Sequence, residues 1–240
     1  MNYKKIFILV IILIIAVAAV WFSYGYKKPT VKIENKTLAI AVSDVKILDN
    51  TKPFKIDIVY PQISGQDEFN KTVQDIINKE ISDFKTNSLE NDKAVKDTDP
   101  KGYAEYPREY DLDIGYDNGL IDENTISVVI NIYNFEGGAH GASYSEAVNF
   151  NPQIKKEVKL SDLFPGNPDY LKTISNFAVK NLTKQIDPQM IDSSWLNTGA
   201  GPTEENYSVF LINKNDITFY IQQYQVAAGA AGSFKVIFPR

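Results

Sequence analysis

Cysteine is absent from the 240 residues of this chain, and histidine occurs only once. The absence of cysteine excludes disulfide bonds, thiolate metal sites, a thiol nucleophile and the acylation of a lipoprotein. A mechanism with a histidine base would have to use His140, and no G-x-S-x-G, Walker A or G-x-G-x-x-G sequence occurs. The sequence therefore predicts no catalytic residues, no metal site and no cofactor.

Excess positive charge is also missing. The formal net charge is −5, which argues against a nucleic-acid partner and is compatible with a cationic one. Hydrophobic residues make up 44% of the chain and charged residues 23%, as in an ordinary globular protein. Without disulfides, such a domain depends on its apolar core.

One uncharged hydrophobic run, Ile6–Tyr26, stands near the start of the chain. Lys4 and Lys5 precede it, and Lys27 and Lys28 follow it. A helix rises about 1.5 Å per residue and the hydrocarbon core is about 30 Å thick, so roughly 20 apolar residues suffice to cross it. We therefore expect a single-pass anchor over 6–26 in the cell membrane, with residues 1–5 as a cytoplasmic stub and the remainder extracytoplasmic.

A cleaved signal peptide is the alternative interpretation of this run. Ala16-Val17-Ala18 has the small-x-small pattern of a cleavage site. The apolar residues Val20–Phe22 continue past that site, which favours an uncleaved signal anchor. In both interpretations residues 27–38 form a polar linker, and the domain that follows faces outward.

Beyond the linker, the hydrophobic pattern predicts two long helices among many strands. Spacings of three and four predict amphipathic helices over 69–84, started by Ser64 and Asp67, and over 171–186, started by Asn167. Residues 86–101 lack periodicity and are expected to form a loop. Alternation predicts strands over 39–48, 54–60, 110–116, 126–132, 144–150, 207–211, 217–221 and 234–238.

These elements indicate an α+β fold on mostly antiparallel sheets. Asp117-Asn118-Gly119 has the composition of a hairpin turn. Two modules are expected, at residues 39–150 and 151–240, each with one long helix packed on a sheet.

The candidate binding site is the segment Gly137-Gly138-Ala139-His140-Gly141, with Tyr144 just beyond it. Three glycines in five residues permit positive φ angles and a close backbone approach to a ligand, with His140 as a polar contact. A tight turn whose histidine bonds to the backbone explains the same residues. A second small-residue segment, 227–232, is explained by close packing, and Trp195 with the tyrosines raises the possibility of sugar stacking.

Several segments together resemble a bacterial extracytoplasmic family. Tyr60–Gly65, Ile76–Asn78 and the strand before Gly137–Gly141 are similar to a PdaC-type N-terminal module, and Leu160–Phe164 and Tyr224–Gly232 to an adjoining module of unknown function. The resemblance covers nearly all of residues 39 to 240. It implies a relation to the extracytoplasmic part of RsiV, a lysozyme-sensing anti-sigma factor, and to the region that precedes the catalytic domain of peptidoglycan deacetylases.

The departures from this family favour a binding module over an enzyme. Only Met1–Lys5 is expected in the cytoplasm, which is too short to hold a sigma factor, and the metal-ligand set of a deacetylase domain is not seen. We therefore expect a membrane-anchored module that binds a cell-wall glycan or a lysozyme-like envelope protein. A cell-wall hydrolase or deacetylase that uses the His140 loop, and a structural partner of another envelope protein, are the alternatives.

Overall fold

A computed structural model describes residues 40–106 and 108–240. The anchor predicted over 6–26 and the linker over 27–38 lie outside the described residues. Among the described helices, none combines the length and apolarity needed to span a membrane. Residues 40–240 form one compact unit that contains two β-sheets. The predicted α+β class is confirmed, and the division at residues 150 and 151 stays a prediction.

Sheet 1 has six strands, which pair in chain order. They are β1 Val42–Asp49, β2 Phe54–Ile63, β3 Tyr110–Ile121, β4 Ile126–Phe135, β5 Ala142–Asn151 and β6 Lys156–Glu157. All neighbours are antiparallel except β2 and β3, which are parallel. The parallel pair needs a crossover, which the helix α1, Asp67–Thr98, provides with the short helix α2, Pro100–Glu105.

One face of sheet 1 packs on α1. The stripe of apolar residues predicted for this helix is buried against alternate strand residues, with Phe69, Val73, Ile77 and Phe84 almost fully buried. The side chain of Asn70 accepts a hydrogen bond from the Ile63 amide and donates one to its carbonyl, at 2.8 Å each. Asn70 thereby fixes the start of α1 to the end of β2, while the helix has no side-chain cap.

The loop predicted over 86–101 is wrong, because α1 continues to Thr98. Asp92 accepts hydrogen bonds from the Tyr103 hydroxyl at 2.8 Å and from the Tyr110 hydroxyl at 2.9 Å. Lys93 and Asp97 form an ion pair one turn apart at 2.5 Å. The helical extension is therefore held by polar contacts rather than by an apolar stripe.

The turn predicted at Asp117–Gly119 is also wrong, because β3 passes through it with a bulge between Asn118 and Ile121. The chain reverses at Asp122–Thr125, where the Asp122 carboxylate accepts hydrogen bonds from the amides of Asn124 and Thr125 at 2.8 and 2.9 Å. Gly119 has another role: a Cβ atom there would overlap the carbonyl oxygen of Ile212. The glycine thus allows β3 to approach the second sheet.

Sheet 2 has three antiparallel strands, β7 Phe210–Ile212, β8 Asp216–Ile221 and β9 Phe234–Pro239. The remaining helices are α3, Tyr170–Gln185, and α4, Ser193–Gly199, with 3₁₀ turns at Leu160–Leu163, Pro188–Met190, Glu205–Tyr207 and Gly229–Ala231. Tyr207 therefore precedes the strand in which it was predicted. Ile217, Phe219 and Ile221 face the apolar core that includes α3.

The opposite face of sheet 2 packs on the outer face of sheet 1. Val129, Leu211 and Tyr220 form a small apolar cluster there. Beside it, the buried Ser127 hydroxyl donates to Asn149 at 2.6 Å and accepts from the Ile212 amide at 2.7 Å. The order of layers is therefore α1, sheet 1, sheet 2 and α3.

Candidate functional site: an aromatic cleft beside the glycine-rich loop

The glycine-rich loop at 137–141 joins β4 to β5 and is fixed at its first residue. Gly137 has φ +97°, a conformation that favours glycine, and a Cβ atom there would lie 2.9 Å from the Tyr110 ring. The Arg108 guanidinium donates a hydrogen bond to the Gly137 carbonyl oxygen at 2.8 Å. The loop is therefore held against the start of β3.

The helical extension of α1 supports the same loop from the other side. Asn91 donates to the Glu136 carbonyl oxygen at 2.8 Å, and Asn87 donates to the Glu136 carboxylate at 3.3 Å. Burial raises the pKa of Glu136, against the lowering effect of the Asn87 hydrogen bond. Because the sequence pattern missed this part of the helix, it also missed this support.

His140 is exposed and contacts the C-terminal part of the chain. Its Nδ1 atom lies 2.8 Å from the Gly141 carbonyl oxygen, and its Nε2 atom lies 3.4 Å from the Tyr224 hydroxyl. Tyr224 has φ +68° and stacks over Gly229, where a Cβ atom would overlap the tyrosine ring. Tyr224 therefore links the two small-residue segments of the sequence, because it contacts His140 of the first and Gly229 of the second.

Two further aromatic side chains extend this contact. The Trp195 indole donates to the Tyr224 carbonyl oxygen at 3.0 Å. On the other side, Gly141 lies against the Tyr133 ring, which a Cβ atom at that glycine would approach to 2.5 Å. Tyr133, Trp195 and Tyr224 are 41%, 39% and 50% exposed. We call these three residues, with His140, the aromatic row.

A cleft of about 270 Å³ opens beside Tyr133. The residues that line it are mostly polar: Asp113, Gly115, Asn131, Ile132, Tyr133, Ser143, Tyr144, Ser145, Gln222 and Ser233. The Gln222 side chain accepts from the Ser145 amide at 3.0 Å and donates to its carbonyl at 3.2 Å. The cleft therefore lies between the outer face of sheet 1 and the segment that follows β8.

A polar network connects Asn131, on the wall of the cleft, to residues of sheet 2. The Asp117 carboxylate accepts hydrogen bonds from Tyr220 at 2.6 Å and Lys235 at 2.8 Å, and from Asn131 at 3.3 Å. Burial alone raises the pKa of Asp117, but these hydrogen bonds outweigh it and bring the pKa below its usual value. Asn131 also accepts from the Ser145 hydroxyl at 2.9 Å, so the side chains on this wall have fixed orientations.

Tyr144 is placed differently from the other predicted site residues. Tyr144 is among the residues that line the cleft, but its hydroxyl donates to Glu80 on α1, at the opposite face of sheet 1. Burial raises the pKa of Tyr144, and the hydrogen bond to Glu80 adds to the effect. Gly137, Gly138, His140 and Gly141 stay together in the loop, whereas the Tyr144 hydroxyl is turned away from it.

The sequence pattern indicated Trp195 only in general terms and gave no sign of a role for Tyr133, Tyr224 or Asp113 in the site. Residues as distant as His140 and Tyr224 carry no local signal of their contact. Within residues 40–106 and 108–240, no group of three or more His, Cys, Asp or Glu side chains is placed to hold a metal ion.

Two regions of the compact unit match known protein families. Residues 47–143 match the family described as "Deacetylase PdaC", and residues 161–240 match a family described as "Protein of unknown function (DUF3298)". The chain is 25% identical to the peptidoglycan-N-acetylmuramic acid deacetylase PdaC of Bacillus subtilis over 227 residues, which are 94% of this chain and 46% of that protein.

A second relative is the immunogenic protein MPT64 of Mycobacterium tuberculosis. It is 27% identical over 139 residues, which are 56% of this chain and 59% of that protein. This chain thus spans about half of the length of the relatives that it matches.

A crystal structure of a DUF3298 family member from Bacteroides fragilis has the same fold, with a TM-score of 0.58 and 20% identity over 85% of this chain and 91% of that one. The chain therefore carries, in this order, a region that matches the PdaC family and a region that matches the DUF3298 family.

Proposed function

We propose that residues 40–240 form an extracytoplasmic binding module that takes a cell-wall glycan into the cleft beside the aromatic row. The observation that carries the proposal is a polar cleft with the partly exposed ring of Tyr133 on its wall. The exposed rings of Tyr224 and Trp195 continue from the neighbouring loop through the contacts of His140 with Tyr224 and of Tyr224 with Trp195. A sugar ring has apolar C–H faces and a rim of hydroxyl and amide groups. Such a ring matches aromatic surfaces flanked by fixed asparagine, glutamine and serine side chains.

The relatives support the same setting. One is named as a peptidoglycan-N-acetylmuramic acid deacetylase, and this name supports a role at the cell wall for the present chain. With the anchor proposed for residues 6–26, the module would stand close to the membrane and face the wall. Protease added to intact spheroplasts should then remove the part beyond residue 30, and full protection would contradict this topology.

A binding role fits the surroundings of His140 better than a catalytic one. Its two ring nitrogens contact a carbonyl oxygen and a tyrosine hydroxyl, and among the described residues neither contacts a carboxylate. A histidine base is usually oriented by a third group of that kind. The deacetylase alternative is tested by acetate release from peptidoglycan, which the binding proposal expects to be zero.

The binding test uses the full chain in detergent and purified insoluble peptidoglycan. Tyr133→Ala and Trp195→Ala should each weaken binding about fivefold, because an aromatic contact contributes roughly 1 kcal/mol. Tyr106→Ala is the matched control, since Tyr106 is 72% exposed and belongs neither to the aromatic row nor to the lining of the cleft. Equal binding by all four proteins would contradict the proposal.

A cationic lysozyme serves as the competing ligand in the same experiment. The net charge of −5 would steer such a protein to this surface, and the attraction would weaken with salt. Binding of lysozyme without any binding of peptidoglycan would replace the glycan by a protein partner.

A further inference from the structure

The cleft carries one carboxylate that the fold does not use. Asp113 on β3 lies directly opposite Tyr133 on β4, and Tyr133 lies opposite Ser143 on β5. Side chains opposite one another on antiparallel strands share a face, with Cβ atoms about 5 Å apart. The Asp113 carboxylate is therefore next to the tyrosine ring, on the wall of the cleft.

Two lysines near this wall, Lys55 and Lys235, are bound to other carboxylates. Lys55 donates to Asp111 at 2.9 Å, and Lys235 donates to Asp117 at 2.8 Å. Hydrogen bonding to Asp111 is the main cause of the raised pKa of Lys55, and Asp113 contributes a smaller charge effect. Within the described part of the chain, Asp113 makes no side-chain hydrogen bond, and Asp57 is its neighbour on β2. This side of the cleft thus has excess negative charge.

We propose that the cleft selects glycan whose amino sugars carry a free amine over glycan that is fully N-acetylated. The inference rests on the proposed function and names the class of sugar that the same site prefers. Tyr133 contacts the face of the sugar, and Asp113 accepts a hydrogen bond from the ammonium group of that sugar. A neutral acetamide gives this carboxylate no charge to pair with, and its burial under a bound sugar is then unfavourable.

The probes are a glucosamine oligosaccharide and the same oligosaccharide after chemical N-acetylation. Binding of each to the full chain in detergent is measured by calorimetry at low and moderate salt. The free-amine form should bind roughly two- to fivefold more tightly, because a partly exposed ion pair contributes up to about 1 kcal/mol. The preference should shrink as salt rises.

Two variants separate a specific contact from the general charge of the protein. Asp113→Asn should remove most of the preference for the free amine, and Glu90→Gln, on the exposed face of α1, should leave it unchanged. Tyr133→Ala should weaken both oligosaccharides together. Equal reduction of the preference by Asp113→Asn and Glu90→Gln would overturn the proposal.

The remaining outcomes distinguish this inference from the function on which it rests. Equal affinity for both oligosaccharides would overturn the selectivity and leave glycan binding in place. Failure of both oligosaccharides and of peptidoglycan to bind would overturn glycan binding itself.

Discussion

Sheet 1 and sheet 2 differ in how completely their faces are covered. The residues of β8 from Ile217 to Ile221 are all buried, because α3 covers one face of sheet 2 and sheet 1 covers the other. In sheet 1, only the face that packs on α1 has an extensive covering layer. Sheet 2 covers part of its outer face, and beyond that part lie Asp113, Tyr133 and Ser143. The candidate site therefore occupies the part of the outer face of sheet 1 that sheet 2 leaves uncovered.

The largest effect is expected inside β8, whose residues Ile217 to Ile221 are covered on both faces. Phe219 is fully buried and contacts the rings of Tyr207, Phe210 and Phe238. Phe219→Ala should lower the free energy of unfolding by about 3–5 kcal/mol, because it removes apolar contacts and leaves a cavity. Urea denaturation measures this loss, with Ile237→Ala as the control, since Ile237 is 61% exposed on the same sheet. A loss below about 1 kcal/mol would contradict the complete burial of this part of β8 between two packed layers.

A smaller effect is expected where the two sheets meet. Ser127→Ala removes the hydroxyl that bonds both Asn149 and the Ile212 amide, and leaves these buried groups without that partner. The expected loss is about 1–3 kcal/mol in the free energy of unfolding. Ser143→Ala, on the open part of the same face, should change it by less than about 0.5 kcal/mol. Equal losses for the two serines would remove the contrast between covered and open areas.

The smallest effect is expected on the α1 side of sheet 1. Burial raises the pKa of Glu146, and the nearby charge of Glu80 adds to the shift, so the folded chain holds that proton more tightly than the unfolded chain. This contribution to stability is full below the usual pKa of 4.5 and is lost as the pH rises through the folded-state pKa. Glu146→Gln should therefore stabilise the protein near neutral pH, by less than about 1 kcal/mol.

Thermal unfolding over a pH series measures this gain, and Glu90→Gln is the exposed control. The difference between the variant and the natural protein should disappear well below the usual pKa of a glutamate. A gain that grows towards acid pH would contradict the assigned direction of the shift.

The elements that the sequence predicted are those whose burial has a simple period. β2, β4 and β8 alternate between buried and less buried neighbours or form buried runs, and Phe69–Phe84 follows the helical stripe. The second half of α1 has no such stripe, because it extends beyond the sheet core and is held by Asp92. Its leucine, glutamate, lysine and alanine residues favour a helix without indicating what it contacts.

Local turn chemistry failed for a different reason. Asp117-Asn118-Gly119 has the composition of a turn. The glycine is instead needed where β3 approaches the carbonyl oxygen of Ile212, which lies 93 residues further along the chain (119 to 212). The candidate site shows the same limit. The loop at 137–141 was predicted from its glycines, whereas the aromatic row combines side chains from three distant segments that only the packed sheets bring together.

The parallel pairing of β2 with β3 has a consequence for how the chain acquires its structure. These strands can pair only after residues 64–109 have closed a loop, and the entropy of that closure must be lost before the sheet is stabilised. Formation of α1 before this pairing would replace most of that flexible loop by a helix, which Asn70 ties to the end of β2 in the folded chain. The helix would then act as a spacer between the two strands, and their pairing would require the closure of a much shorter flexible loop.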